Sequence, residues 1–193
     1  MPWWSRFFPP TSLAAIDRPT RARLVGHVSS DNDAVGRMSG LRGALIELQF
    51  SARYHKVRRD RYGRQVETDE EAYEILSTWM SEPPLRVTCA DGELIVPTAG
   101  MSVRFAGDGH GVPIDRPVPA DVAEVLGSPK ARGRMVFYRE LALSRGDKVR
   151  VDATVAPADQ IDVDHYRGTT TRRWIARVDL APIVVHDLSL DEV

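Results

Sequence analysis

A chain of 193 residues is close to the size at which one hydrophobic core still suffices, and 42% apolar with 27% charged residues excludes a disordered or fibrous class. The formal net charge of −1 removes any whole-molecule attraction to nucleic acid or anionic lipid, so such an attraction would have to be local. The single cysteine, Cys89, excludes an intrachain disulfide and a zinc site of the Cys₄ or Cys₂His₂ kind.

Residues 1–20 read as an irregular lead, with Trp3, Trp4, Phe7 and Phe8 ahead of Pro9-Pro10 and Pro19. The lead lacks the apolar h-region and cleavage site of a signal peptide, and no apolar run approaches the ~20 residues that cross a bilayer. The cytoplasm is therefore the expected compartment. The four aromatics around Arg6 suit a membrane interface, and equally suit packing over the open end of a barrel or into a protein partner. All these readings stay open.

From Arg21 the pattern has period two. Ala22, Leu24, Gly26 and Val28 alternate with Arg21, Arg23, Val25 and His27, a half-buried strand. Ser29 to Gly40 reads as a loop. In the next strand Ala44, Ile46, Leu48, Phe50, Ala52 and Tyr54 share one face, with Glu47, Gln49, Ser51 and Arg53 on the other. A one-residue slip there would expose the whole apolar row, so its register is well specified. Residues 55–71 are basic (Lys56, Arg58, Arg59, Arg61, Arg64), then acidic (Glu67, Asp69, Glu70, Glu71), and predict a protruding hairpin tip or a mobile loop. Ala72 to Met80 fits a short helix or a strand equally well. Leu85, Val87 and Cys89 alternate into Asp91-Gly92, a hairpin signal, and the chain returns through Leu94 and Val96. Met101, Val103 and Phe105 predict one more short strand.

Gly107-Asp108-Gly109-His110-Gly111 opens a loop rich in Gly and Pro. Pro119 suits the first turn of a helix to about Leu126, with Val118, Val122, Val125 and Leu126 inward and Gly127 ending it. Met135, Phe137, Leu141 and Leu143 then share a face, broken only by Arg139. After a Ser144-Arg145-Gly146-Asp147 turn, Val149, Val151, Ala153 and Val155 alternate with Lys148, Arg150, Asp152 and Thr154. Trp174, Ala176, Val178 and Leu180 start a last strand, with Pro182 marking a bulge or edge before Val184 and Val185. The predicted fold is mainly β: a small antiparallel barrel or sandwich, OB-like, with one short helix, forming a single domain over 21–193.

The stretch from Phe137 to Val155, with its Tyr138-Arg139-Glu140-Leu141 and Gly146-Asp147 elements and the alternating Val149-to-Val155 strand, resembles the closing hairpin of GIDE domains. Arg23 to Val28, then Ser39-Gly40 and the strand after it, are similar to that family's opening strands, which bracket a Ser-Pro-x-Ser-Gly-like loop. Leu85 to Val96 is similar to its Asp-Gly hairpin. The resemblance spans roughly residues 21–180. It implies a protein-binding or membrane-adjacent β domain, found beside membrane helices and a zinc-binding RING in mitochondrial ubiquitin ligases, and also in bacterial proteins. One cysteine cannot build a RING, so the transfer chemistry is not implied here.

Among candidate sites, Arg58, Arg59, Arg61 and Tyr62 are the best nucleic-acid contacts, because arginines pair with phosphates and aromatics stack on bases. The acidic run that follows could neutralise them across a hairpin. Asp162, Asp164 and His165, with Asp159 nearby, offer donors for a divalent ion, but Ile161 and Val163 alternate between them as in a solvated strand edge. Gly107 to Gly111 could cradle an anion, yet lacks Gly-x-Gly-x-x-Gly spacing and the Lys-Ser/Thr of a P-loop. His110 could serve as a general base, but no recognised nucleophile context accompanies it. Cys89, in an apolar row, reads as buried and inert. The expectation is a non-enzymatic interaction module without metal or cofactor. It would meet an unidentified protein partner, or peripherally a membrane, through Trp3, Trp4, Phe7 and Phe8 or the 53–71 excursion. The rivals are an OB-like nucleic-acid binder and an enzyme with a site near His110 or Asp162–His165.

Overall fold

The computed structural model describes residues 11–105, 111–115, 118, 120–158 and 173–188. Among these the elements in chain order are β1 (Thr20–Val28), β2 (Ala34–Val35), β3 (Arg42–Gly43), β4 (Leu45–Arg59), β5 (Gln65–Met80), β6 (Leu85–Cys89) and β7 (Gly92–Val96). Then follow β8 (Met101–Arg104), β9 (Val112–Pro113), α1 (Ala120–Leu126), β10 (Val136–Leu143), β11 (Lys148–Pro157), β12 (Arg173–Ala176) and β13 (Ile183–Asp187). The protein is mainly β, as the alternation predicts.

The apolar row of β1 has to find cover on both flanks, and it does so by closing a ring. β1 pairs with β11 from Thr20↔Val155 to His27↔Lys148, then passes to β6 at His27↔Thr88 and Val28↔Val87. β6 and β7 form the expected Asp91-Gly92 hairpin, β7 runs parallel to β12, and β12 returns to β11. The result is a closed five-stranded barrel. Its interior is filled by residues such as Leu24, Val87, Leu94, Val151, Val155 and Trp174. Closure depends on Gly26: a Cβ there would sit 2.4 Å from the Thr88 carbonyl oxygen, so only glycine lets the two backbones approach.

One barrel end is stopped by residues 12–16. A single 3-10 turn at Leu13–Ala15 carries Leu13 and Ile16 into the barrel core. The turn is pinned by the Asp91 carboxylate, which accepts from the Ala14 N–H at 2.8 Å and from the Ser12 hydroxyl. The buried Trp174 indole N–H donates to the Ile16 carbonyl at 3.2 Å. The Ser12 hydroxyl first, then backbone N–H groups including that of Ala14, hold Asp91's carboxyl below its ordinary range.

The last predicted strand divides in two. β12 belongs to the barrel, whereas β13 pairs with the other half of the same β11 edge and runs parallel to β8. Between them Arg177 grips Asp179 at 2.7 and 2.8 Å, and Val178 and Leu180 are exposed. The break shows in parity: burial falls on even positions at Trp174 and Ala176, and on odd ones at Ile183 and Val185.

A second sheet, ordered β5-β4-β10-β9, carries α1 on one face. Val118, Val122, Val125 and Leu126 pack against Leu48, Phe50, Leu76 and Trp79, the inner side expected of them. The Gly127 N–H closes the helix on the Ala123 carbonyl at 2.9 Å. The ambiguous segment 72–80 is the end of β5. Its period is spoiled by a bulge where Phe50↔Ser77 is followed by Ser51↔Ile75. The extra residue puts Leu76 and Trp79, three apart, on one face of a strand. The polar face expected of β4 is a correction. Glu47 is only 4% exposed and Ser51 7%, because the opposite side of the sheet lies against the barrel. Glu47 bonds to the backbone of Val103 on β8 and lies 3.7 Å from Arg139. Burial pushes its carboxyl up, against the opposing pull of Arg139.

Candidate functional site

β10 supports β4 only as far as Ala52, so beyond it β4 and β5 pair with each other alone. The 55–71 excursion is thus a two-stranded arm rather than a loop. Its tip is a built turn: the Asp60 carboxylate accepts from the Tyr62 N–H at 2.8 Å and the Arg64 N–H at 2.9 Å, while Gly63 takes φ of 76°. Register places the acidic strand against the basic one. Arg53 meets Glu71 at 3.0 Å, and Glu70 holds both Lys56 and Arg58, the latter at 3.0 Å. Lys56 first, then Arg58, keeps Glu70's carboxyl below its ordinary range.

The four expected nucleic-acid contacts are therefore split. Arg59, Arg61 and Tyr62 are exposed at the tip, with the Arg61 guanidinium 4.9 Å from the Tyr62 ring centre and Tyr62 70% exposed. Arg58 is drawn back to Glu70. Val57 and Val66, also on the arm, are about half exposed at 53% and 48%. At its base the arm borders a groove of about 490 Å³ lined by Arg53, Tyr54, His55, Val57 and residues 133–135. There Arg134 bonds Glu74 at 2.8 Å and lies over the Tyr54 ring at 5.5 Å, tying the arm to the segment after α1.

Further along the same sheet, Glu140 of β10 fastens the 36–40 turn to it. Its carboxylate accepts from the Met38 N–H at 3.1 Å, the Ser39 N–H at 2.7 Å and the Ser39 hydroxyl. A Cβ on Gly36 would lie 2.5 Å from that carboxylate, so the 36–40 turn is pressed against it. The Arg37 guanidinium stacks 4.1 Å from the Trp79 ring centre on β5.

A second polar surface, which reading along the chain does not assemble, lies on the outer face of β1, β11, β13 and β8. One lateral row is Arg150, His186 and Arg104; the next holds Arg23 and Asp152, with Arg21 beyond. They border a depression of about 320 Å³ that Ala22 and Val184 also line. Asp152 sits at its centre, 2.8 Å from Arg23 Nε, 3.0 Å from His186 Nε2 and 3.3 Å from Arg150 Nε. Burial pushes the Asp152 carboxyl up, but Arg23, Arg150 and His186 outweigh it and hold it below its ordinary value. His186 is also held down, first by burial and then by Arg150, although Asp152 pulls the other way. The only sign of this cluster in the sequence is that each member is an outward position of an alternating strand.

Trp3, Trp4, Phe7 and Phe8, His110, and the Asp162–His165 group lie outside the described residues. Cys89 is buried, and burial first, then Asp91, pushes its thiol up to about 11. Among the described residues no three His, Cys, Asp or Glu side chains are grouped to hold a metal ion, and no helix is long and apolar enough to cross a membrane. No family model, curated protein or solved structure matches the chain.

Proposed function

We propose that this protein is a non-enzymatic interaction module, a GIDE-like domain on an OB-like barrel, which binds a protein partner through the β4–β5 arm in the cytoplasm. The barrel order supports the OB-like reading: taken in chain order, its first, second, third, fifth and fourth strands form a ring of Greek-key type, with the third and fifth parallel. The GIDE-like reading is supported by a contact. Two segments that carry the resemblance, Ser39-Gly40 and Tyr138-x-Glu140, meet through the Glu140 carboxylate.

The observation that carries the function is the arm. Its ion pairs neutralise the shaft below the tip, while Val57, Val66 and Tyr62 stay exposed among the charges. Apolar and aromatic anchors within a polar surround are what a protein interface needs, and paired charges leave little general pull on polyanions. The test places a photo-crosslinking residue at position 62 or, as a control, at the exposed Val35. The purified adduct partner is then titrated against a chain whose residues 57–67 are replaced by an Asn-Gly turn. A discrete adduct from position 62 alone, with affinity lost in the shortened chain, supports the reading. Unchanged affinity without the arm overturns it.

A second reading, single-stranded nucleic acid at the tip, is favoured by the exposure of Arg59, Arg61 and Tyr62 together. It requires binding that weakens steeply with salt, and no mobility shift at low salt removes it.

A further inference from the structure

We infer that the depression on the outer face of β1, β11, β13 and β8 is a binding site for the phosphoryl or diphosphate group of a small soluble molecule, with Arg21, Arg23, Arg104 and Arg150 as its ligands. This face is separate from the arm and independent of the function proposed for it. Four guanidinium groups face one carboxylate, a formal excess of three positive charges with His186 neutral. Surface arginines usually disperse or pair one-to-one with acids, whereas here two of the four, Arg21 and Arg104, meet no carboxylate among the described residues. The buried Nε of Arg150 lies 3.3 Å from an Asp152 oxygen outside hydrogen-bond geometry, so that contact is ionic rather than a hydrogen bond.

The arrangement is also preorganised. Asp152 orients Arg23 and Arg150 from the sheet and bonds the His186 ring, so these side chains are held before any ligand arrives. Asp152 is thus a positioning residue, and the planar forks it holds suit the paired oxygens of a phosphoryl group. Burial first, then Arg150, holds His186 below its ordinary pKa even beside that carboxylate, and Arg104 adds to this. Size and charge select a compact anion. About 320 Å³ admits a phosphate or diphosphate with part of its organic substituent. The four arginines converge on one depression instead of lining an extended groove, an arrangement for a compact anion rather than a track for a long polyanion.

The probe is inorganic pyrophosphate, titrated calorimetrically into the full chain. The variant is Arg21→Ser with Arg104→Ser, both exposed, outward and free of carboxylate partners among the described residues; the control is Arg145→Ser, on an exposed pair with Asp31. Expected is saturable binding tighter than about 1 mM that the double substitution weakens about tenfold or more and Arg145→Ser leaves unchanged. Melting temperatures of the unliganded variants separate lost binding from lost fold. No saturable heat at millimolar pyrophosphate, or equal affinity in the double variant, overturns the assignment. Parallel arms use anionic phospholipid vesicles and an oligothymidylate. Binding of either through Arg21 and Arg104 in the absence of pyrophosphate binding replaces the small-molecule site with a headgroup or backbone site, and so overturns it too.

Discussion

Replacing Glu140 probes the joint between the barrel-side loop and the second sheet. Its carboxylate accepts three hydrogen bonds, from the Met38 N–H, the Ser39 N–H and the Ser39 hydroxyl. The Met38 bond is part-buried, and Ser39 is exposed enough for water to compensate partly. At about 1–1.5 kcal/mol for the first and about 0.5–1 kcal/mol for each of the others, Glu140→Ala should cost about 2–3.5 kcal/mol. Glu140→Gln keeps one acceptor oxygen and should cost about half as much. Ser39→Ala removes only the hydroxyl contact and should cost less than either. In urea, with a slope of about 2 kcal/mol/M, the Ala variant's midpoint falls by roughly 1–1.7 M at unchanged slope. A double-mutant cycle of Ser39→Ala with Glu140→Gln should show coupling of about 0.5 kcal/mol or more. If Glu140→Ala and Glu140→Gln shift the midpoint equally, or the coupling vanishes, the latch is incidental and the reasoning fails.

Gly26→Ala brings a Cβ to 2.4 Å from the Thr88 carbonyl oxygen, a backbone atom that cannot swing aside. It should destabilise by about 2–3 kcal/mol, roughly 6–10 °C in Tm, and a shift under about 2 °C in calorimetry would mean that the ring has slack. Cys89, with its thiol pushed up to about 11, should resist a thiol reagent in the native protein at pH 8 and react on denaturation; rapid native labelling would contradict its burial. Glu47 holds its proton more tightly when folded than when unfolded, so its ionisation opposes folding above the folded pKa and that opposition fades as pH falls. Glu47→Gln should therefore gain in stability relative to the parent more at pH 8 than at pH 5, and the opposite trend in paired urea melts would refute the assignment.

Much of the barrel is legible in the chain because its strands are buried on one face and read as strict alternation. Leu85-Val87-Cys89 and Val149-Val151-Ala153-Val155 are of this kind, and both lie where the period puts them. Period two fails at two places with physical causes. The bulge opposite Phe50 and Ser51 gives Leu76 and Trp79 a helix-like spacing inside a strand. The Arg177–Asp179 turn changes burial parity between β12 and β13, and Val178 and Leu180, apolar but exposed, disguise it. The opposite-charge complement of the arm could be read from the order of basic and acidic runs, since a hairpin must lay one against the other. The arginine depression could not, because its neighbours are lateral. Arg150, His186 and Arg104 become adjacent only through the pairings of β11 with β13 and of β13 with β8.

Two of the connections between barrel strands explain why an arm can exist at all. The one from β1 to β6 carries the 36–40 turn and the hairpin β4–β5, and the one from β7 to β11 carries α1 and β10. Neither insertion can bury its apolar face alone; β10 pairing with β4 covers both, and Glu140 bonds one to the other. Past Ala52 that mutual cover ends, yet β4 continues to Arg59 and β5 begins at Gln65. Exposed ion pairs such as Arg58–Glu70 are screened by water and add little to stability, and an unsupported two-stranded hairpin is marginal in water. Stability therefore does not account for the extension. What the extra length does achieve is to carry Val57, Val66 and Tyr62 clear of the sheet on a shaft whose charges are already matched, a surface that becomes useful when something else covers it.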